Sequence, residues 1–337
     1  MSDSLAMTRK MTPNKVAQAL LSWATAAHNG STGRRLIRAS ARHTRNFWAA
    51  HGDPLITHRV AERDLVMPLS HDLPIILAAW PQYSQNIVRL TAMTVAARQD
   101  VSIVDIGANI GDTAALMRGA VAAPILCVEG DELFLDLLHH NVGQLSDVEV
   151  EEAYVATPTD DNTDRTHTVQ RRAGTAALVP SVSGLTPTHP IRPLPEILSS
   201  HARFSSPGLL KIDTDGADPR IIVANRELLW QTRPVVFFEF APLWAAKTGD
   251  DNPYRAITAL AEVGYEGALV YGNTGELLLV TKVAERHVWR DLGRFTMAHG
   301  KGQYYDVAAF HSDDAELFEQ AAAAERKFFD EMTVTLP

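Results

Sequence analysis

The sequence predicts an α/β protein with a mostly parallel sheet that is covered by helices on both faces. Short β-branched runs that end in glycine or in an acid recur after residue 100. Stretches with helical apolar spacing separate these runs. The 337 residues, 46% of them hydrophobic, also suffice to bury a full core. Strands and helices that alternate in this way are typical of a doubly wound sheet.

Residues 1 to about 65 are predicted to form a helical N-terminal appendage. Apolar residues from Val16 to Ala24 recur at helical spacing, unlike those of a signal peptide, and no apolar stretch there has the length of a bilayer span. We therefore expect a cytoplasmic protein. Five arginines between Arg34 and Arg45 group on a helical face, for which solvation is the favoured interpretation and contact with phosphate or an anionic membrane surface the alternative.

Two prolines interrupt the helical pattern between Leu65 and Pro74, and a helix from about Tyr83 to Ala97 then leads into the first strand. His71 and Tyr83 flank this change of pattern. We predict that both line the mouth of a site and bind substrate, with capping or packing as the alternative for each.

The first strand and the turn after it carry the first candidate site. The run Val101–Ile106 is stopped by glycine and followed by a helical pattern, which predicts a Rossmann-type unit. A dinucleotide turn would have glycine in place of Asn109 and Asp112, so that backbone amides meet a pyrophosphate. Carboxylates here repel phosphate and attract an ammonium or a sulfonium. The turn therefore predicts a site for S-adenosylmethionine (AdoMet), with an ordinary βα turn as the alternative, and its candidate ligands are Asp105, Gly107, Asn109, Gly111 and Asp112.

A second apolar strand, Pro124–Glu129, ends in an acid. In this architecture a carboxylate at that position binds ribose hydroxyls, so Glu129 is predicted to bind the cofactor. The single cysteine, Cys127, lies inside the same strand and is expected to be a small buried side chain. One cysteine excludes a disulfide within the chain and a cysteine-built metal site.

A third strand is predicted at Val148–Val155 and a fourth at Leu209–Asp213. The Thr- and Pro-rich region 157–207 between them is too long for an ordinary connection and is predicted to be a lid or substrate insertion. Arg171 and Arg172 within it are candidates to bind an anionic or hydroxylated substrate, although exposed arginines usually face water.

The fourth strand and a fifth, Val235–Phe240, both end in carboxylates. Because open α/β sheets build their sites at the carboxyl ends of strands, Asp213 and Glu239 should converge, with Asp215 beside them. Capping of the following helix is the alternative for Asp215 and Asp218.

The rest of the chain predicts two further elements. Turn residues 271–275 predict a hairpin between Ala268 and Val280, at an edge of the sheet. Ala315–Phe329, within the C-terminal segment 313–337, predicts an amphipathic helix that packs on the chain, with a homo-oligomer contact as the alternative.

Charge and histidine content exclude other classes of function. A net charge of −9 argues against a nucleic-acid partner. The 13 histidines are scattered, so none is predicted as a metal ligand. If the protein uses a divalent ion, the carboxylates of Asp213 and Glu239 are the predicted ligands.

These motifs together resemble the FkbM family of AdoMet-dependent methyltransferases. The resemblance covers roughly residues 65–312, close to the predicted domain 66–312. It is carried by Val104–Asp112, Cys127–Glu129, Asn141, Leu210–Gly216, Pro234–Glu239 and Tyr304–Phe310. Family members often have Asp-Val-Glu-Gly-x-Glu where this chain has Asp213-Thr-Asp-Gly-Ala-Asp218, which shortens two acids without changing their charge.

The resemblance implies a Rossmann-like class I methyltransferase fold and methyl transfer to a hydroxyl of a sugar, a glycan or a secondary metabolite. Such a displacement needs the acceptor oxygen aligned with the methyl group, and a base for the hydroxyl proton. Asp213 is the first candidate for that base and Glu239 the second. The alternatives are a non-catalytic module that binds the cofactor or organises partners, and a nicotinamide oxidoreductase, which the missing glycines argue against.

Overall fold

The structure is a computed structural model that describes residues 11–28, 35–157, 166–172, 175–181, 188–247, 250, 252, 254–299 and 303–334. The chain divides into two compact units, Met1–Ala79 and Trp80–Pro337. None of the described helices combines the length and the apolar composition of a transmembrane segment.

The first unit combines helices with a β-hairpin. Its elements are α1 (Lys15–His28), α2 (Arg35–Ala50), β1 (Leu55–Val60), β2 (Arg63–Pro68) and α3 (Leu73–Ala79). The antiparallel hairpin begins within the segment for which the sequence predicts only helix. Its two-residue loop has Ala61 in the left-handed region, without the Asn-Gly or Asp-Gly pair that marks such turns, so local sequence gives little sign of it.

Arg45 points into the first unit and does not join a solvated arginine face. Its side chain is buried, its Nη1 lies 2.7 Å from Asp72 Oδ1, and its Nε donates to the carbonyl of Leu69. Charge-assisted hydrogen bonds of this kind satisfy a buried guanidinium. For this arginine the predicted surface role is wrong, while Arg42 is exposed as predicted.

The second unit holds one large sheet and several short strand pairs. Its strands are β3 (Ile103–Ile106), β4 (Ile125–Glu129), β5 (Val148–Glu152), β6 (Tyr154–Val155), β7 (Thr166–Arg172), β8 (Thr175–Ser181), β9 (Ile191–Arg192), β10 (Leu209–Ile212), β11 (Val235–Phe240), β12 (Tyr265–Gly272), β13 (Leu277–Lys282) and β14 (Tyr305–His311). Its helices are α4 (Gln85–Ala97), α5 (Asp112–Ala120), α6 (Glu132–Val142), α7 (Leu194–Ser200), α8 (Asp218–Ala224), α9 (Arg226–Thr232), α10 (Pro242–Lys247), α11 (Arg255–Glu262), α12 (Arg286–His299) and α13 (Ala315–Val334).

The large sheet has the strand order β13-β12-β14-β11-β10-β3-β4-β5. The five strands from β11 to β5 are parallel. Strand β14 runs antiparallel between β11 and β12, and β13 closes a hairpin at the edge of the sheet. This mostly parallel sheet with flanking helices confirms the predicted Rossmann-like class I fold, and the edge hairpin lies where the sequence predicts one.

Short apolar strands supply most of the core. All four residues of β3 and all four of β10 are buried, including the one charged residue of each strand, Asp105 and Lys211. The apolar residues beside these two predict central strands. Cys127 is buried inside β4, as expected. Each fully buried large apolar side chain, such as Phe238 or Trp289, contributes about 1.5–3 kcal/mol relative to an exposed one.

The predicted insertion 157–207 is shorter than expected, because part of it belongs to the core. Helix α7 buries Leu194, Ile197 and Leu198 in the same apolar cluster as the central strands. The sequence does not predict this helix, because it has only seven residues and begins between two prolines. Strands β6 and β9 pair in parallel and hold together the two ends of the remaining excursion.

His201 fastens the end of α7 to the outermost strand β5. Its Nδ1 lies 2.8 Å from Glu149 Oε2 and its Nε2 lies 3.1 Å from Glu151 Oε2. An ionised carboxylate only accepts hydrogen bonds, so both ring nitrogens donate and the ring is an imidazolium. Burial lowers the pKa of His201, but the hydrogen bonds that it donates to Glu151 and Glu149 together raise the pKa above 6.5.

Replacing His201 with asparagine is expected to destabilise the protein by about 1–2 kcal/mol at pH 6 and by clearly less at pH 9. A raised pKa gives stability that is complete below the pKa of the unfolded state and is lost as the pH rises through the folded one. Urea denaturation at the two pH values measures the difference. An equal loss at both would contradict the imidazolium, and His287→Asn, on an exposed histidine, is the control.

Candidate active site

The candidate site lies at the carboxyl ends of the neighbouring strands β3 and β10. After β3 the chain continues to β4 on one side of the pair, and after β10 it continues to β11 on the other side. The turn after β3 has Gly107 at φ +76°, and a Cβ there would lie 1.8 Å from the carbonyl oxygen of Asp213. Only glycine permits this close approach of two backbones. Ligands of open α/β sheets bind in the crevice at such a switch point.

Every backbone amide from Gly107 to Gly111 is hydrogen-bonded within the chain. Gly107 and Ala108 donate to the carbonyl of Val128, and Gly111 donates to that of Ala108. Asn109, at φ +52°, donates to Glu129 Oε2 at 2.8 Å, and its own side-chain oxygen accepts from the amide of Ile110. A pyrophosphate site uses such amides as donors, and here they already have acceptors.

Glu129 is held rigidly at the end of β4. Its Oε1 accepts from the amides of Gly130 and Asp131 at 2.9 and 2.8 Å, in addition to the bond from Asn109. Burial raises the pKa of Glu129, and these three amide bonds oppose the increase. A carboxylate fixed in this way is pre-organised to accept hydroxyl donors from a ligand.

Lys211 in β10 and Asp105 in β3 form a buried ion pair beneath the turn. Lys211 Nζ lies 2.9 Å from Asp105 Oδ1 and 3.2 Å from Asp213 Oδ2. Asp105 has no exposed surface, and its Oδ2 has no hydrogen-bond partner among the described residues. Burial alone lowers the pKa of Lys211, but the charges of Asp105 and Asp213 raise it well above 10.5. Asp105 thus faces an internal cation.

The acids after β10 have different surroundings. The side chain of Asp213 is 41% exposed. Asp215 is half-buried in the left-handed region at φ +53°. Asp218 is fully buried and accepts from the amides of Thr214 and Glu239, at 2.9 and 3.0 Å. Asp218 therefore ties the turn to the end of β11. It is the first residue of α8, but no described side chain caps that helix.

Glu239 and Asp306 are directly opposite one another on β11 and β14. Side chains in such antiparallel pairs lie on the same face, close together. Burial, then the charges of Asp213 and Asp218, raise the pKa of Glu239 well above 4.5. Burial raises the pKa of Asp306 to about 7, against the effect of a 2.8 Å hydrogen bond from Asn86 Nδ2. The carboxyl end of β11 and the start of β14 thus hold a pair of carboxyl groups with raised pKa values.

Asp112 and two tyrosines complete the described surroundings. Burial raises the pKa of Asp112 to about 6, although the charge of Lys211 opposes it. Burial raises the pKa of Tyr83 and of Tyr304 well above 10. The charges of Asp213, Glu239 and Asp306 add to the increase for both phenols. Tyr83 contributes to the raised pKa of Tyr304 as well, after burial.

The predicted substrate role of His71, Arg171 and Arg172 stays a prediction. His71 belongs to the first unit, where its Nδ1 accepts from the amide of Leu73. The side chains of Arg171 and Arg172 lie outside the described residues. Within the described ranges no group of three or more His, Cys, Asp or Glu residues has the arrangement of a metal site.

Lys211, Asn86 and Asp306 also belong to the candidate site, although the sequence did not predict them there. A lysine inside an apolar strand is the signal for Lys211, because a buried ammonium requires a counter-charge, and Asp105 lies opposite it in register. Asp306 had a weaker signal, since it stands at the start of an antiparallel strand and not at the end of a parallel one.

Comparison with solved structures finds distant similarity. The chain is similar to precorrin-6y C5,15-methyltransferase from Geobacter metallireducens GS-15, with 14% identity, 68% of this chain and 88% of that chain covered, and a TM-score of 0.37. It is similar to M. jannaschii TYW2 in complex with AdoMet, with 12% identity, coverage of 76% and 86%, and a TM-score of 0.37. For methyltransferase FkbM from Methylobacillus flagellatus KT the identity is 15%, the coverage 52% and 43%, and the TM-score 0.31.

No protein-family model matches the chain, and no curated protein gives a significant match. Similarity at the level of these solved structures does not establish a family. The chemistry of the site therefore has to be derived from its own residues.

Proposed function

We propose that the protein is an AdoMet-dependent methyltransferase that transfers the methyl group to a hydroxyl oxygen of a small molecule or glycan. The observation that carries this proposal is the turn from Gly107 to Gly111, whose amides are all hydrogen-bonded internally while carboxylates surround it. Such a turn repels a diphosphate and offers it no free amide as a hydrogen-bond donor. It favours a cofactor with a positive charge.

The residues present fit AdoMet. Glu129 would bind the ribose hydroxyls, since its carboxylate is already fixed and retains lone pairs for further donors. Gly107 and Gly111 give the turn two positions without a side chain, Asn109 lies between them, and Asp112 follows. The Oδ2 of Asp105, for which the described part of the chain supplies no partner, is a buried acceptor close to this turn, and an ammonium or an ordered water would satisfy it. AdoMet supplies a methyl group bound to a positively charged sulfur.

The side chains at the ends of β10 and β11 would handle the proton. Asp213 is the first candidate base, because its carboxylate is partly exposed and a carboxylate oxygen in hydrogen-bond reach can take the acceptor's hydroxyl proton. Glu239 is the second, because its raised pKa makes it the stronger base once ionised. Asp215 borders both. A divalent ion between Asp213 and Glu239 would be an additional way to acidify the hydroxyl.

Calorimetric titration of the full chain tests the cofactor. We expect saturable binding of AdoMet and no detectable binding of NAD at the same concentrations. The labelled methyl group should then be transferred from AdoMet to a compound in a polar cell extract. The labelled product should be stable to alkali, as an ether is. Preferential binding of NAD would refute the proposal, and AdoMet binding without transfer would support a non-catalytic module.

Replacing Glu129 with alanine is expected to weaken AdoMet binding by about 1.5–3 kcal/mol, or about 10- to 150-fold, because charged hydrogen bonds to the ribose are lost. The amide of Asn109 loses its acceptor as well. Calorimetry measures the affinity, and Glu132→Ala, on an acid at the start of α6 that accepts no described turn amide, is the control. An affinity equal to that of the parent would remove Glu129 from the cofactor site.

A further inference from the structure

The short turn at residues 81–84, called the tyrosine turn below, precedes α4 and brings Tyr83 to the candidate active site. Asn86, three residues later, donates to Asp306 at 2.8 Å and so anchors the start of α4 beside the carboxyl pair. Tyr83 itself is half-buried. Burial, and then the charges of Asp213, Asp112 and Asp306, raise the pKa of its phenol.

The β12–β13 hairpin turn packs against the backbone of this tyrosine turn. Gly275 has φ +95°, and a Cβ on it would lie 1.9 Å from the carbonyl oxygen of Gln82 and 3.3 Å from the amide nitrogen of Tyr83. Gly272, in the same hairpin, has no atom closer than 3.9 Å to such a Cβ. A side chain at position 275, but not at 272, would therefore push the tyrosine turn away.

A second contact holds the tyrosine turn from α4. Arg89 Nη1 donates to Gln82 Oε1 at 3.3 Å. The same guanidinium forms a bidentate pair with the buried Glu325 of α13, at 2.7 and 2.8 Å. The centroid of the Phe328 ring lies 4.3 Å from Arg89 Cζ. The tyrosine turn is thus fixed by a hairpin and by a helix pair that lie far apart in sequence.

We propose that Tyr83 and Tyr304 form the wall of the acceptor subsite above Glu239 and Asp306, and that Gly275 is a positioning residue for Tyr83. Two phenol rings offer apolar faces to a ring-shaped molecule, and the carboxyl oxygens accept from its hydroxyls. Because the negative charge of this subsite comes from its acids, Glu239 and Asp306 with Asp213 nearby, the acceptor class is a ring-shaped hydroxyl compound without phosphate, sulfate or carboxylate. This inference rests on the proposed function.

Fluorine NMR of the fluorotyrosine-labelled full chain tests the positioning. The chain has seven tyrosines, and the Tyr83 resonance is the one that Tyr83→Phe removes. We expect Gly275→Ala to shift this resonance and Gly272→Ala to leave it in place, with circular dichroism showing both variants folded. An unmoved Tyr83 resonance in folded Gly275→Ala would overturn the positioning role, whether or not the protein is a methyltransferase.

Methyl transfer from labelled AdoMet into a polar cell extract tests the acceptor role. We expect Tyr83→Ala and Gly275→Ala to lower transfer about 10- to 100-fold, and Tyr83→Phe to retain most of it, with AdoMet affinity within about twofold in all three. The label should pass through an anion-exchange column unretained. Retained label would overturn the acceptor class, and unchanged transfer by Tyr83→Ala would overturn the wall. Failure of the wild type to bind AdoMet would instead refute the proposed function.

Discussion

Replacing Asp213 with asparagine is expected to lower the rate of methyl transfer about 10²- to 10⁴-fold while the AdoMet affinity stays within about threefold. Asparagine keeps the shape of the side chain but its amide oxygen is too weak a base to take the hydroxyl proton. Lys211 retains Asp105 as an ion-pair partner, so the floor of the crevice should persist. Calorimetry with AdoMet beside a labelled-methyl assay separates the two effects.

The same measurement on Glu239→Gln distinguishes the two candidate bases. If Glu239 takes the proton, kcat/KM of the wild type rises with pH as this group ionises, and Glu239→Gln loses that rise. In Asp213→Asn the rise of kcat/KM should occur at lower pH than in the wild type, because the charge of Asp213 helps to raise the pKa of Glu239. An Asp213→Asn enzyme with full activity would transfer the assignment to Glu239. Asp291→Asn, on an exposed aspartate, is the matched control.

Replacing Lys211 with methionine is expected to destabilise the protein by about 3–5 kcal/mol. The substitution leaves Asp105 as a buried carboxylate without a counter-charge, in a position with no exposed surface. A loss of this size is a large part of the stability of an ordinary domain. Urea denaturation measures it, and Lys327→Met, on an ammonium of which the side chain is 77% exposed, is the control.

Two further variants show whether the loss comes from the unpaired charge. Asp105→Asn should cost less than Lys211→Met, since Lys211 keeps Asp213 at 3.2 Å. The double variant should be more stable than Lys211→Met alone, because it buries no charge. If the effects of the two substitutions simply add, the ion pair is not the source of the loss.

Much of the sheet was predictable from the sequence because its central strands are buried on both faces. Such strands appear as apolar runs with no more than one charged residue each, and β11 was predicted with the observed bounds, Val235–Phe240. Short elements were not predictable in this way. Helix α7 is stabilised by the burial of Leu194 and Ile197, which overrides two prolines, and nothing in the local sequence reveals that burial.

The candidate site was predictable where it follows parallel strands and not where it depends on strand direction. Asp213 and Glu239 end parallel strands, and the structure brings them to one edge of the sheet. Asp306 begins β14, and only the antiparallel direction of that strand brings it beside Glu239. Tyr83 was selected, but its support by Gly275 depends on a contact between segments almost 200 residues apart.

The glutamates of β5 also have a consequence for solubility. β5 is the outermost strand of the described sheet, and an open strand of this kind can add a strand from another molecule, which is how sheet proteins aggregate. Glu149 and Glu151 place negative charge along it, and His201 and Arg192 fasten a neighbouring segment to the same side chains. The contacts that secure α7 therefore also occupy side chains of the edge strand β5, and we expect them to disfavour the addition of a strand from another molecule.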